Sequence, residues 1–313
     1  METATLGRTG LRVSVAGLGG GGFSRLGIEK YGEAHSASVV RAAYDGGVTF
    51  FDTAMAYGTE GAVGAGLRGV ARDSYVISTK FTYADREGNI LPEAALTECL
   101  ENSLRRLGTD YVDIYHLHAV TAGDYARATE TFAPALIKAR EAGKIRFPGL
   151  TERFFAETSH AVLPTALRDD FFDVIMTGYN ILNPSAAKTV LPLAIERNVG
   201  VLCMFAVRRA LHDTKQLKTD LDRILAAGQA DPELVRRDGM LEFLTDSGAA
   251  KSVMEAAYRF CRHTPGIHVT LTGTGSAEHL AENLAAINSP PLPEDILVRL
   301  EELFGGVDCV SGQ

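Results

Sequence analysis

Short apolar runs rich in β-branched residues alternate along this chain with longer segments whose apolar positions recur at helical spacing, and the pattern repeats about eight times. The strand candidates are Val13–Leu18, Val48–Asp52, Tyr75–Lys80, Val112–His118, Ile145–Leu150, Asp173–Gly178, Val199–Phe205 and His268–Thr272. Helix candidates fall between them near 34–46, 60–69, 92–107, 131–142, 156–168, 186–197, 251–262 and 277–288. Pro92 near the start of one helix and Gly143 just after another are the expected punctuation.

Strands separated by helices pair in parallel, because each connection must cross over the sheet. About eight such units predict an α/β fold, a (β/α)8 TIM barrel forming a single domain over 1–313. An open doubly wound sheet alternates in the same way but usually carries a G-x-G-x-x-G turn. Gly17–Gly22 fits that spacing, yet a run of glycines matches it by chance and no acidic residue ends a following strand at the required distance. The longest departure from the repeat is Arg208–Ala250, read as an insertion with helix-like text at Leu217–Ala227. Its place after a strand's C-terminal end suits a lid, and a solvated surface excursion is the competing reading.

Composition narrows the function. Hydrophobic residues at 46% and charged residues at 22% suit a globular enzyme, and a net charge of -8 without Lys/Arg clusters opposes binding to nucleic acid. The chain opens Met-Glu-Thr-Ala-Thr without a signal-like segment and has no membrane-length apolar run, so a cytoplasmic protein with no membrane association is expected. Cys99, Cys203, Cys261 and Cys309 lie far apart with no CxxC pair, which predicts reduced thiols and no metal site. Exterior helices read alike in monomers and at subunit interfaces, so the oligomeric state stays open.

In such barrels chemistry gathers at the C-terminal ends of the strands. Asp52 ends the second strand candidate, Tyr57 follows in Ala56-Tyr57-Gly58, Lys80 ends the third strand and His118 the fourth. The strand period of two puts Phe50 with Asp52, and Val76 with Ser78 and Lys80, on common faces. A lysine at that depth needs a partner, which Asp52 supplies. A free tyrosine titrates near pH 10, so Lys80 is expected to stabilise the Tyr57 phenolate while His118 polarises a substrate oxygen. Singly, the four read as a structural ion pair, a packing tyrosine and a satisfied histidine; their joint order points to acid/base catalysis. His116, two residues before His118 and deeper, reads as core filling.

These residues, together with Leu6-Gly7-Arg8-Thr9-Gly10-Leu11, Asp110–Tyr115, Gly143-Lys144-Ile145 and Glu278–Asn283, resemble the aldo-keto reductase family over nearly the whole chain. The resemblance implies Tyr57 as proton donor, Lys80 and Asp52 tuning it, His118 orienting the carbonyl, and hydride taken from NADP or NAD. It implies reduction of a small aldehyde or ketone to an alcohol. The alternatives are an NAD-dependent sugar or alcohol dehydrogenase, or a nicotinamide-binding redox sensor with little turnover.

Cofactor positions depart further from the family. Thr151-Glu152 stands for its usual Ser-Asn pair; Thr151 keeps a hydroxyl, but an ionised Glu152 only accepts, from the carboxamide NH2, from Arg153 or from another cation. Met176 replaces a Gln, and Met204-Phe205 falls where the family stacks a Tyr on nicotinamide. Gly273-Thr274-Gly275, before the last of the helix candidates, can bind phosphate through backbone N–H groups, and His279 replaces an Arg that engages the 2′-phosphate. The family favours NADPH, and His279 weakens that preference. Glu282 and Asn283 match positions near adenine, Arg208 and Arg209 are pyrophosphate candidates, and Gly20 and Gly21 of the glycine run complete the set. Phe23, Phe81 and Tyr83 are weak pocket candidates, and no long C-terminal tail follows Phe304.

Overall fold

The computed structural model describes residues 1–313. Two short strands, β1 (Thr3–Thr5) and β2 (Arg12–Ser14), form an antiparallel pair at the start of the chain. The next eight strands close a parallel barrel: β3 (Ala16–Gly19), β4 (Phe50–Asp52), β5 (Val76–Phe81), β6 (Val112–Val120), β7 (Ile145–Glu152), β8 (Val174–Gly178), β9 (Gly200–Met204) and β10 (Val269–Thr272). β10 pairs back onto β3, so no edge remains.

The first strand candidate, Val13–Leu18, is corrected: it spans the end of β2 and the start of β3. The chain turns at Val15 because Ser14 is held sideways, its N–H donating to Thr49 Oγ1 and its Oγ accepting from Thr49 N, both at 2.8 Å. Leu6, Leu11 and Val13 then pack with Phe50, Ile114, Leu202 and Val269, which plugs the N-terminal mouth of the barrel with apolar side chains.

The connecting helices are α1 (Ile28–Asp45), α2 (Glu60–Gly66), α3 (Glu93–Leu107), α4 (Tyr125–Glu141), α5 (Leu163–Asp169), α6 (Ala186–Thr189) and α7 (Leu191–Glu196). After β9 come α8 (Thr214–Ala226), α9 (Pro232–Asp238), α10 (Phe243–Asp246) and α11 (Val253–Arg262), and after β10 come α12 (Ala277–Ile287) and α13 (Glu294–Phe304). Outward-facing Phe51, Ile77, Tyr115, Leu117 and Val201 pack under these helices in the largest apolar cluster.

Three helix expectations shift for local reasons. The candidate at 186–197 divides into α6 and α7, because Pro192 has no N–H to continue the ladder. The candidate at 156–168 begins only at Leu163, since the preceding loop bends so that His160, at φ 62°, reaches Glu152. The 131–142 candidate starts at Tyr125 and accommodates Pro134 within α4.

The 208–250 segment is no solvated excursion. α8, α9 and α10 bury Leu217, Leu221, Ile224, Val235, Phe243 and Leu244 in an apolar cluster shared with Ile296, Leu300, Leu303 and Phe304 of α13. All four cysteines are free, and no helix is long and apolar enough to cross a membrane.

Candidate active site

Register brings the polar strand ends together. Asp52 of β4 pairs with Ser78 of β5, and Lys80 pairs with His116 of β6. Inward-pointing Phe50, Val76 and Ile114 form an apolar layer, and the next inward positions along the same strands are Asp52, Ser78, Lys80 and His116. The β6–β7 register shifts between Leu117 and Val120, with Ala119 at φ 57° and its N–H donating to Thr151 Oγ1 at 2.7 Å. A bulge of this kind re-aims a strand end, and here it carries His118 toward Tyr57. Tyr57 closes a single 3₁₀ turn, Met55–Tyr57, which the chain leaves through Gly58 at φ 71°.

Lys80 Nζ donates to Asp52 Oδ1 at 2.7 Å, to Asp52 Oδ2 at 2.6 Å and to the Thr53 carbonyl at 2.7 Å. Burial works against the ammonium, but Asp52 and Tyr57 together outweigh it and hold the Lys80 pKa above its ordinary value. Ser78 Oγ donates to Asp52 Oδ1 at 2.8 Å. With its one proton committed there, Ser78 Oγ accepts from His116 Nε2 at 3.1 Å, so His116 carries its proton on Nε2 and leaves a buried Nδ1 without a partner. Burial pushes the His116 pKa far below the ordinary imidazole value. Core filling is thus only part of its job, since it also braces Ser78 under the Asp52 carboxylate.

Tyr57 Oη lies 3.1 Å from His118 Nε2, with the two rings edge to face at 5.4 Å, and Lys80 Nζ lies 4.9 Å from the Tyr57 ring centre. Burial raises the Tyr57 pKa and Lys80 pulls it back without cancelling the rise. The Lys80 charge thus acts on the phenolate in the expected direction, but burial outweighs it. The phenol stays protonated. Burial, then the Lys80 charge, pushes the His118 pKa down to about 3, so its imidazole is neutral.

Tyr57 and Asp52 line a cleft of about 980 Å³, whereas Lys80 and His118 do not reach its surface. Of the residues expected to bind cofactor, Gly21, Met176, Met204, Phe205, Arg208, Arg209, Gly273, Thr274, His279, Glu282 and Asn283 line it. Arg209 is paired with Asp213 at 2.9 Å, and Asn283 Nδ2 donates to Thr272 Oγ1 at 2.9 Å. A Cβ at Gly21 would lie 2.8 Å from the Tyr57 ring, and one at Gly273 would lie 3.0 Å from the Gly19 carbonyl oxygen, so glycine lets the chain pack closely at both positions.

Four expected contacts face elsewhere. Gly20 packs on Thr59, where a Cβ would come within 2.6 Å of Oγ1, and Gly275 packs on Gly27 while its carbonyl meets His35 Nε2 at 2.7 Å. Thr151 does not line the cleft, and its Oγ1 accepts from the Ala119 N–H. Glu152 pairs neither with Arg153 nor with the cleft: its buried carboxylate takes His160 Nδ1 at 2.9 Å, Thr177 Oγ1 at 2.9 Å and Gly178 N at 2.8 Å. Of the pocket candidates, Phe23 lines the cleft and is 83% exposed, whereas Phe81 is core and Tyr83 donates to Asp124 Oδ2 at 2.8 Å.

Sequence reasoning missed Ser78 as a support of Asp52, although it shares a face with Lys80 two residues on. It also missed His212, Lys251, Glu255 and Tyr258, which line the cleft from the 208–250 segment, the turn that follows it and α11. No motif marks those four, since only the tertiary fold brings the loop after β9 and the start of α11 to the cleft.

The sequence matches the family model described as "Aldo/keto reductase family" over residues 17–304. It is 30% identical to aldo-keto reductase YhdN of Bacillus subtilis (strain 168), covering 90% of this chain and 88% of that one. It is 28% identical to L-galactose dehydrogenase of Arabidopsis thaliana, covering 92% and 88%. Among solved structures, the fold superposes on an aldo-keto reductase from Bacillus halodurans in its holo form with a TM-score of 0.74 at 22% identity, covering 98% of this chain and 97% of that one. An aldo/keto reductase from Klebsiella pneumoniae in complex with NADP and acetate gives a TM-score of 0.69 at 23% identity, covering 98% and 97%.

Proposed function

The chain belongs to the aldo/keto reductase family, a family of NAD(P)-dependent oxidoreductases, and from that premise we propose that it reduces an aldehyde or ketone to an alcohol with Tyr57 as proton donor. The observation that carries this reading is the 3.1 Å contact between His118, a neutral imidazole, and a protonated Tyr57 phenol that lines the cleft.

The residues present fit a nicotinamide dinucleotide. Met176, Met204 and Phe205 give the cleft apolar lining, and Arg208 has a buried Nε with no partner. Ser276 caps α12, its Oγ accepting from His279 N, so the helix N-terminus beside Thr274 offers free N–H groups to a phosphate. When bound, the reduced nicotinamide supplies hydride. The chain does the rest: His118, in its Nε2–H form, and Tyr57 Oη both donate to a carbonyl oxygen held between them, and Tyr57 releases its proton to that oxygen as charge develops. The buried Lys80–Asp52 pair then faces a phenolate, and the Lys80 charge offsets the cost of making it. The 208–250 segment, through Arg208, Arg209 and His212, walls the cleft and serves to exclude water.

Oxidation of a sugar or other alcohol with NAD is the second reading, favoured by His279 in place of an arginine and by the likeness to L-galactose dehydrogenase. Titration of the protein with NADPH and with NADH, followed by a panel of aldehydes, ketones and aldoses in both directions, tests both. Binding of neither nucleotide overturns the proposal, and NAD-dependent oxidation without carbonyl reduction selects the second reading.

A further inference from the structure

Glu152 and His160 form a wholly buried carboxylate–imidazole pair that the proposed chemistry does not use. The carboxylate only accepts, so His160 Nδ1 carries the proton and donates to it, at 2.9 and 3.0 Å to the two oxygens. His160 adopts φ 62°, a conformation that a non-glycine residue keeps only when its surroundings enforce it. Its ring stacks on Phe154, centres 5.2 Å apart and planes 18° from parallel. Phe154 stacks in turn on Phe205 at 6.1 Å and 28°, and the Arg208 guanidinium lies 4.0 Å from the Phe205 ring centre. Phe205 and Arg208 line the cleft; Glu152, Phe154 and His160 do not.

Two further contacts tie this run to the strand beneath. Glu152 accepts from Gly178 N at 2.8 Å, and a Cβ at Gly178 would lie 2.2 Å from the Phe154 ring, so the ring seats directly on the end of β8. Phe205 itself sits at φ 68°, which costs free energy for an aromatic residue and requires support. Arg208 Nε is buried with no hydrogen-bond partner, and burial, with Asp220 opposing, pushes the Arg208 pKa down to about 10. A cation in that setting is held by the aromatic face beneath it and is free to take an anionic ligand from the cleft.

We infer that Glu152, His160 and Phe154 are positioning residues for the cofactor: through stacked rings they hold Phe205 and Arg208 in the cleft wall, a task they perform without touching the ligand. The inference rests on the proposed nicotinamide dinucleotide as the occupant of the cleft. It also accounts for an acidic residue at position 152: there the carboxylate anchors His160, and the cofactor contact passes to Phe205 and Arg208.

The test uses the full chain and the variants Phe154→Leu, Phe205→Leu, Phe205→Tyr and Arg208→Ala. Dissociation constants for NADPH and NADH are measured by calorimetry, and steady-state KM and kcat are measured with 4-nitrobenzaldehyde. Phe154→Leu is expected to weaken nucleotide binding about tenfold while the aldehyde KM stays within about twofold, Phe205→Tyr to retain binding, and the effects of Phe154→Leu and Arg208→Ala to be non-additive. Additive effects, or wild-type affinity in Phe154→Leu, overturn the inference. An independent readout needs no nucleotide: the Arg208 Nε–H resonance of the free protein, shifted by the Phe205 ring, is expected to move in Phe154→Leu and to vanish from that shifted position in Phe205→Leu, the half-exposed site that keeps the fold if Phe154→Leu does not. Wild-type protein that binds neither nucleotide refutes the proposed function, and the positioning run then stands or falls on that resonance alone.

Discussion

Lys80 and Asp52 face each other across neighbouring strands, Nζ 2.6 Å from one carboxylate oxygen and 2.7 Å from the other, with Lys80 only 1% exposed. A buried pair of this kind is costly to break from one side, because the surviving charge has no partner. Lys80→Met is expected to lower unfolding free energy by about 3–5 kcal/mol in urea titrations. Adding Asp52→Asn in the same chain should recover part of that loss while turnover stays absent. If the double variant is as unstable as the sum of the singles, the two side chains are not coupled as described.

Tyr57→Phe deletes only Oη, leaving the ring against Gly21 and the Lys80–Asp52 pair intact. Unfolding midpoint and nucleotide affinity should match wild type, while kcat for carbonyl reduction drops by about 10²- to 10⁴-fold, the usual contribution of a positioned proton donor. Wild-type turnover in this variant would remove Tyr57 from the chemistry.

Stability should depend on acid in a way traceable to two histidines. His118 titrates at about 3 when folded and His116 is also pushed far down, whereas in the unfolded chain both take the ordinary value of 6.5. Between those limits the unfolded state binds more protons, so stability is full above about pH 6.5 and falls as pH drops toward 3. His118→Asn should give a shallower fall over the same window, measured by denaturant unfolding at several pH values. Carbonyl reduction itself should stay level through neutrality, because neither His118 nor the raised Tyr57 phenol titrates there; the rate should decline only in alkali as the phenol loses its proton.

The barrel, and the gathering of Asp52, Tyr57, Lys80 and His118, were legible because each depends on local order. Strand period puts Asp52 and Lys80 inward, and chain order delivers them to one mouth. The break between β2 and β3 was hidden inside one apolar run, Val13–Leu18, where only the long-range Ser14–Thr49 exchange reveals it. Glu152 was misread for a related reason: its partner His160 sits in a loop whose left-handed residue leaves no sequence signal other than the resulting late start of α5. The Tyr57 pKa depended on depth, which residue spacing does not encode.

The proposed cofactor site includes His279, the third residue of α12, which lines the cleft with Glu282 and Asn283 and is the residue expected to set the preference. A guanidinium grips a phosphate in two-pronged fashion, which an imidazole cannot do. His279→Arg should tighten NADPH binding about tenfold and leave NADH nearly unchanged, as read by calorimetric titration. Equal effects on both nucleotides would place the 2′-phosphate elsewhere.

Gly21 offers the most selective probe of alignment. Its Cα faces the Tyr57 ring so closely that a methyl group would lie 2.8 Å from Cε2 and 2.9 Å from Cζ, both too close for carbon–carbon contact. No positive φ is required at Gly21, so alanine strains nothing in the backbone and the half-exposed ring can swing into the cleft to relieve the clash. That swing lengthens the 3.1 Å contact between Tyr57 Oη and His118 Nε2. Misplacing a reacting group by about 1 Å costs on the order of 10²-fold in rate. Gly21→Ala should therefore lose about 10²-fold in kcat while its thermal midpoint moves by no more than a few degrees. A large loss of stability with proportionate loss of activity would show that Gly21 serves the fold, and unchanged kcat would show that the Tyr57–His118 spacing does not limit turnover.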